Sequence, residues 1–223
     1  MKIPPAIAAI APNGQLTTAQ RRRFMIDMCM RRVKPGSGSA IEFLLRRTAM
    51  NPWPDLRPIL DGIPWVIVGG VATRAYMPER LTKDLDILVH RQDGDEVLLR
   101  LQAAGYRLIS RLAVPGFLLH SPDGVEVDVI FGDYPWLKRA LTHSRQDAVG
   151  YPVLDLPYLV LMKIVSSRSQ DWADVSRMLG QTSEEELARV RAVVRRYAPE
   201  VAEDVESFIY LGQLEMQMPP AKE

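Results

Sequence analysis

Two aspartates, Asp84 and Asp86, stand two residues apart in the run DLDILVH, among residues that belong in a protein interior. Aspartate is depleted in strands, yet Leu85, Ile87, Leu88 and Val89 read as a buried one. Side chains two apart on a strand share a face. The aspartates therefore point one way while Leu85, Ile87 and Val89 pack the other. Carboxylates this close repel each other and raise one pKa unless a cation neutralises them. Hard oxygen ligands at that separation suit Mg2+, which takes one or two carboxylates together with substrate phosphates. Alone, the D-x-D spacing is a weak signal, and a strand end in water explains it as well.

Two further stretches strengthen it. In VEVDVIF (125–131), Glu126 and Asp128 share a face opposite Val127, Val129 and Phe131. If the two strands are neighbours, they assemble three or four carboxylates, the makings of a two-metal phosphoryl-transfer site. The plain alternative is an antiparallel pair with one wet face, although such faces usually carry Thr and Lys among their acids. Upstream, WVIVGG ends a buried strand on Gly69 and Gly70. Glycines at a strand-to-helix turn let backbone N–H groups approach a phosphate. The spacing fits neither a P-loop nor a dinucleotide fingerprint.

The elements that must position these residues follow from the pattern. IPWVIV (63–68), DLDILVH (84–90), YRLISR, GFLLHS and VEVDVIF read as strands. VATRAYM and DGDEVLLRLQAAGY read as helices, the second amphipathic through Val97, Leu98, Leu101 and Ala104 and stopped by Gly105. After Leu154 the chain turns helical: LPYLVLMKIVSSR, DWADVSRMLG, SEEELARVRAVVRRYA and PEVAEDVESFIYLGQLE. Ser183 with Glu186 has the spacing of a capping box, and Pro199 suits a first turn. Before the core, TTAQRRRFMIDMCMRRV (17–33) reads as a helix capped by Thr17 or Thr18, with Phe24, Met25, Met28 and Cys29 on its apolar side. AIEFLLRRTAM reads as a second helix. The layout is a basic helical extension over 1–60, an α/β core over 61–155, a helical region over 156–217 and a frayed tail over 218–223.

The spacing of these parts resembles the polymerase-β-like nucleotidyltransferases. VGG, thirteen residues, DLDI and then an acid on a later strand are similar to that superfamily's signature. ERLTKDLDILV and LPYLVLMKIVSSRSQDWADVSRML are similar to segments of bacterial minimal and abortive-infection-type, toxin-like nucleotidyltransferases. The resemblance spans about residues 60–180. It implies an α+β fold: a mixed β-sheet nucleotidyltransferase core with helices, plus the basic N-terminal segment and a C-terminal helical bundle. It also implies roles. Gly69 and Gly70 would hold the triphosphate, Asp84 and Asp86 would ligate two Mg2+ ions (with Mn2+ as a substitute), and Asp128 would be the third carboxylate, with Glu126 its same-face rival. Arg80 and Thr82 would line the nucleotide pocket and Lys163 would reach phosphate oxygens. Asp171 and Asp174 would support the pocket from the helical side, a position that an exposed helix face explains equally well. Where the family often has Lys before Asp171, this chain has Gln170.

The implied activity is transfer of a nucleoside monophosphate from a nucleoside triphosphate such as ATP to an acceptor hydroxyl. The acceptor would be RNA (a tRNA end) or protein, in a toxin-like setting with an antitoxin partner. The alternatives are a small antibiotic-type acceptor and a non-catalytic antitoxin or regulatory module that keeps the fold. Residues 1–50 carry nine Lys/Arg against Asp27 and Glu42, a local charge of +7 within a chain of +1. Such a block is either a nucleic-acid footprint or a solvated helix face. The single cysteine, Cys29, excludes an intrachain disulfide and reads as a small core residue. His90, His120 and His143 are too scattered for a ligand pair, and Ser166, Ser167 and Ser169 lack a hydrolase motif. No window approaches a membrane span. A cytoplasmic protein is expected.

Overall fold

The computed structural model describes residues 5–31, 33, 53–78, 82–166 and 168–216. Seven strands form one mixed sheet: β1 (Trp65–Ile67), β2 (Asp84–His90), β3 (Arg107–Arg111), β4 (Gly116–His120), β5 (Glu126–Gly132), β6 (Arg145–Gln146) and β7 (Pro152–Val153). Their order is β3-β4-β5-β2-β1-β7-β6. The acidic strands β2 and β5 lie side by side at the centre and run parallel, with Asp84 opposite Glu126 and Asp86 opposite Asp128. This is not the antiparallel wet-faced pair that the sequence left open. A parallel pair needs a long crossover, here supplied by helix α4 (Gly94–Ala103) and the β3–β4 hairpin. Leu85, Ile87, Leu88 and Val89 are essentially inaccessible, as are Val127 and Val129.

Two elements are shorter than their apolar runs. The strand expected over 63–68 keeps only Trp65–Ile67, and the following helix starts earlier, at Gly69. That helix, α3, spans only Gly69–Ala72 before a 3-10 turn over Thr73–Ala75. Its brevity limits any helix-dipole contribution, because a macrodipole sums aligned peptide units.

The C-terminal half is α5 (Leu137–Thr142), α6 (Leu156–Val165), α7 (Ser169–Gly180), α8 (Glu184–Tyr197) and α9 (Ala202–Met216). Asp155 caps α6, accepting from the Leu156 amide at 3.1 Å, and Pro157 fits its first turn. Eight of its ten residues are buried, including Lys163, so this helix runs through the core rather than over it. Helices α7 and α9 cross closely at Gly180 and Gly212. A Cβ on Gly212 would lie 2.0 Å from the Ser176 carbonyl oxygen. At the start of α8, Ser183 accepts from the Glu186 amide at 3.3 Å, while the Glu186 carboxylate turns to Arg189. Among the described residues no helix is long and apolar enough to cross a membrane.

The N-terminal part holds α1 (Pro5–Ala8) and α2 (Thr18–Met30). Thr17 caps α2 in a reciprocal box with Gln20. The buried side of α2 is Arg22 and Ile26, not the methionine stripe; Met28, Met30 and Cys29 are exposed. Cys29 is therefore not a core residue. The phase is set by Asp204 on α9, 1% exposed, which takes both the Arg22 guanidinium and Arg23 Nε, the latter at 2.7 Å. Arg23 also pairs with Glu203 at 2.7 Å. Two arginines of the basic block are thus spent on docking α2 against α9, which reduces its standing as a nucleic-acid face. The second helix expected over 40–50 lies outside the described residues.

Candidate active site

The site begins where β1 ends. The Val68 amide donates to the Asp86 carbonyl at 2.9 Å, tying this turn to the acidic strand. Gly69 then adopts φ +61°, and a Cβ there would fall 1.8 Å from Asp86 Oδ2. The Gly70 backbone N–H favours the charged form of the Asp86 carboxylate, and the Thr73 hydroxyl donates to the Gly70 carbonyl at 2.8 Å. The two glycines thus make room for Asp86 and favour its charge. The sequence suggested a phosphate cradle here; the contacts on view are to a carboxylate.

Asp84, Asp86 and Asp128 converge, with one carboxylate oxygen from each lying within 4.8 Å of the others. Glu126 is not among them. It sits at the exposed start of β5, with Oε1 3.6 Å from His120 Nε2. The Thr82 hydroxyl donates to Asp84 Oδ1 at 2.7 Å and so orients that carboxylate rather than standing free in a pocket. Arg80 lies outside the described residues.

Burial, together with the charges of Asp84 and Asp128, pushes the Asp86 carboxyl up to about 6. Asp128 is raised by burial first, then by Asp84 and Glu126. Asp86 and Asp128, both with raised affinity for protons, are equally short of positive charge, and with Asp84 beside them they form an all-oxygen set that fits a hard divalent cation.

Opposite the acids stands a wall built by α6 and α7. Lys163 is buried, with Nζ donating to Asp171 Oδ1 at 2.8 Å and Asp174 Oδ2 at 2.9 Å. Asp171 and Asp174 are 2% and 0% exposed, so they do not lie on an exposed helix face. Gln170 also donates to Asp174, at 3.2 Å. The other oxygen of Asp171 accepts from the Ser166 hydroxyl and from Arg168 Nε, at 2.8 and 2.7 Å. Burial would raise the Asp171 pKa, but Lys163, Arg168 and Ser166 outweigh it and hold the carboxyl below its usual value. Lys163 is thus pinned at the cleft wall by two carboxylates.

Arg168 is the residue the sequence reading passed over. Its side chain is 75% exposed, fastened among the described residues through Nε alone, and its charge is felt by both Asp86 and Asp128. The available signal was an arginine three residues before a helical aspartate, at the junction of two helices. The cleft between these walls encloses about 780 Å3. Its polar lining is Gly69, Asp86, Asp128, Lys163 and Arg168; its apolar lining includes Val114, Ile130, Phe131, Met162 and exposed Tyr134. Its volume lies within the usual range for small-molecule sites.

No protein-family model matches the chain, and no curated protein matches it. Solved structures similar to it include two of the antibiotic-resistance factor ANT(2'')-Ia, one in complex with adenylyl-2''-tobramycin. They are 15% and 16% identical, each with a TM-score of 0.38, covering 68% and 70% of this chain and 85% and 92% of theirs. The Cid1 poly(U) polymerase is 15% identical with a TM-score of 0.28, over 75% of this chain and 46% of its own. Overlaps this loose fix no activity, which has to be argued from the acids and the cleft.

Proposed function

We propose that the protein is a nucleotidyltransferase that moves a nucleoside monophosphate from a nucleoside triphosphate to an acceptor hydroxyl. The convergence of Asp84, Asp86 and Asp128 carries this reading. Mg2+ held by these three carboxylates would neutralise phosphate charge and make the acceptor hydroxyl more acidic. In the reaction the acceptor oxygen bonds to the α-phosphorus, the bond from that phosphorus to the α–β bridging oxygen breaks, and pyrophosphate leaves. Asp128, with its raised proton affinity, takes the hydroxyl proton. Gly69 leaves space for the Asp86 carboxylate, the Gly70 backbone N–H favours its charged form, and Thr82 orients Asp84. Arg168, held at Nε by Asp171, presents its two remaining nitrogens to the departing phosphates. Lys163 and Asp174 act behind it by fixing Asp171.

The apolar lining with exposed Tyr134 suits a substrate that carries a flat ring, whether nucleotide base or acceptor. The test is incorporation of label from α-phosphate-labelled nucleoside triphosphates, with Mg2+, into total RNA, protein and small hydroxyl acceptors in parallel. Transfer of label into one pool supports the reading and names the acceptor. Absence of transfer with all four nucleotides, together with absence of Mg2+-dependent nucleotide binding, refutes it.

A further inference from the structure

Away from the acid cluster, a cavity of about 340 Å3 opens between α5, α6 and α8, and three arginines line it: Arg139, Arg189 and Arg196. Arg189 is committed, donating to Glu186 Oε1 at 2.6 Å and to Asp155. Arg139 and Arg196 take no carboxylate among the described residues. Arg196 lies over the Tyr197 ring at 5.3 Å, and Arg139 offers only its backbone carbonyl, to His143. Tyr158 lines the same space at 7% exposure, and its hydroxyl has no hydrogen-bond partner among the described residues. Burial raises its pKa, so it stays a neutral donor. Among the described residues Asp155 is the one acid that lines the cavity.

Arg139 and Arg196 are exposed at the cavity's rim, and together they make it locally positive. Like charges repel, and the Tyr158 hydroxyl faces the cavity as a donor that no side chain among the described residues takes up. An oxyanion relieves both, and guanidinium groups bind phosphate through charge-assisted, often paired hydrogen bonds. The tyrosines add a ring-binding surface. Tyr158 stacks on Trp136 at 5.2 Å, and Trp136 on Tyr134 at 4.9 Å. Tyr197 is shared with a second hollow that also contains Tyr134, and Tyr134 lines the acid cleft. A continuous track of aromatic side chains therefore leads from the acids to the arginines. Positive charge with stacking rings is the way proteins hold nucleotide units.

We propose that this cavity is a second anion site, separate from the acid cluster, that takes the phosphate of a nucleotide unit, either free or within a single strand. Arg139 and Arg196 bind the phosphate oxygens, Tyr158 donates to one of them, and the base lies against the tyrosines. The site needs no divalent cation, so it can be tested apart from the transfer reaction.

The experiment is calorimetric titration of the full chain in EDTA with AMP, adenosine, inorganic phosphate and a short single-stranded oligoribonucleotide. Amide NMR mapping with AMP accompanies it. AMP or the oligonucleotide binds, adenosine does not, and amide shifts fall on 137–143 and 189–197. The Arg139→Gln/Arg196→Gln variant loses at least about tenfold in affinity. Equal affinities for AMP and the oligonucleotide identify a free nucleotide as the source; a tighter oligonucleotide identifies a strand. If the double variant folds poorly, Arg196→Gln alone and the wild-type shift map decide. Inorganic phosphate binding as well as AMP, unchanged binding by the variants, shifts confined to Gly69 and Asp86, or no binding at all overturns the proposal.

Discussion

Gly69 and Asp86 occupy adjoining space so tightly that a single methyl group on Gly69 would sit 1.8 Å from Asp86 Oδ2. The same glycine holds φ at +61°, a conformation that side-chain-bearing residues rarely adopt. Gly69→Ala therefore meets two penalties, backbone strain of about 1–3 kcal/mol and displacement of the carboxylate. Thermal unfolding should show the first. Nucleotide transfer should fall about a hundredfold or more, the loss typical of a misplaced catalytic group.

Asp86 gives a pH signature. Its carboxyl titrates at about 6 in the folded protein against 3.8 ordinarily. The folded state therefore binds more protons between those values, and stability falls as pH rises through that window. Asp86→Asn removes the burden. In metal-free buffer it should raise stability at pH 7 by on the order of 3 kcal/mol and change it little at pH 4, while abolishing transfer. Denaturant unfolding at the two pH values checks this. Equal effects at both would contradict the buried, repelled carboxylate.

The two cations of the cleft wall should separate by experiment. Lys163→Met leaves Asp171 and Asp174 buried without their shared ammonium, and breaking a buried pair this way costs about 3–5 kcal/mol. Arg168→Ala removes a largely exposed group and should cost about 1 kcal/mol or less. It should nonetheless weaken nucleoside triphosphate binding by about tenfold or more, since the lost contact is charge-assisted. Unfolding curves and equilibrium nucleotide binding on both variants decide. A large stability loss with unchanged binding in Arg168→Ala would make that residue structural.

How far the sequence reveals this site depends on the range of the interaction. Period-two alternation places Asp84 with Asp86 and Glu126 with Asp128, because a strand's own pleat decides which side chains share a face. The pairing of β2 with β5 joins residues about forty positions apart, and nothing local specifies its direction or register. Asp128 and Glu126 were thus equivalent in sequence and are separated only by the convergence of the strands. Arg168 stayed hidden for the same reason: its relation to Asp86 exists only once α6 and α7 pack beside the sheet. The phase of α2 followed a partner 182 residues away, Asp204, which turned Arg22 inward and Met28 and Cys29 outward.

That separation is itself testable. Asp128→Asn should reduce transfer by at least about a thousandfold if it takes the proton, whereas Glu126→Gln, at the exposed end of its strand, should retain activity within a few-fold. Parallel single-turnover rates on the two variants provide the comparison, and a reversed order would move the third carboxylate to Glu126.

The most direct measurement on the acid cluster needs no acceptor. Mn2+ titration followed by electron paramagnetic resonance, with a non-hydrolysable nucleoside triphosphate present, reports the metal centre itself. Wild-type protein should bind Mn2+ in a nucleotide-dependent manner, and Asp86→Asn should lose that binding while remaining folded. Equal Mn2+ uptake by both proteins would contradict a metal centre built on Asp84, Asp86 and Asp128.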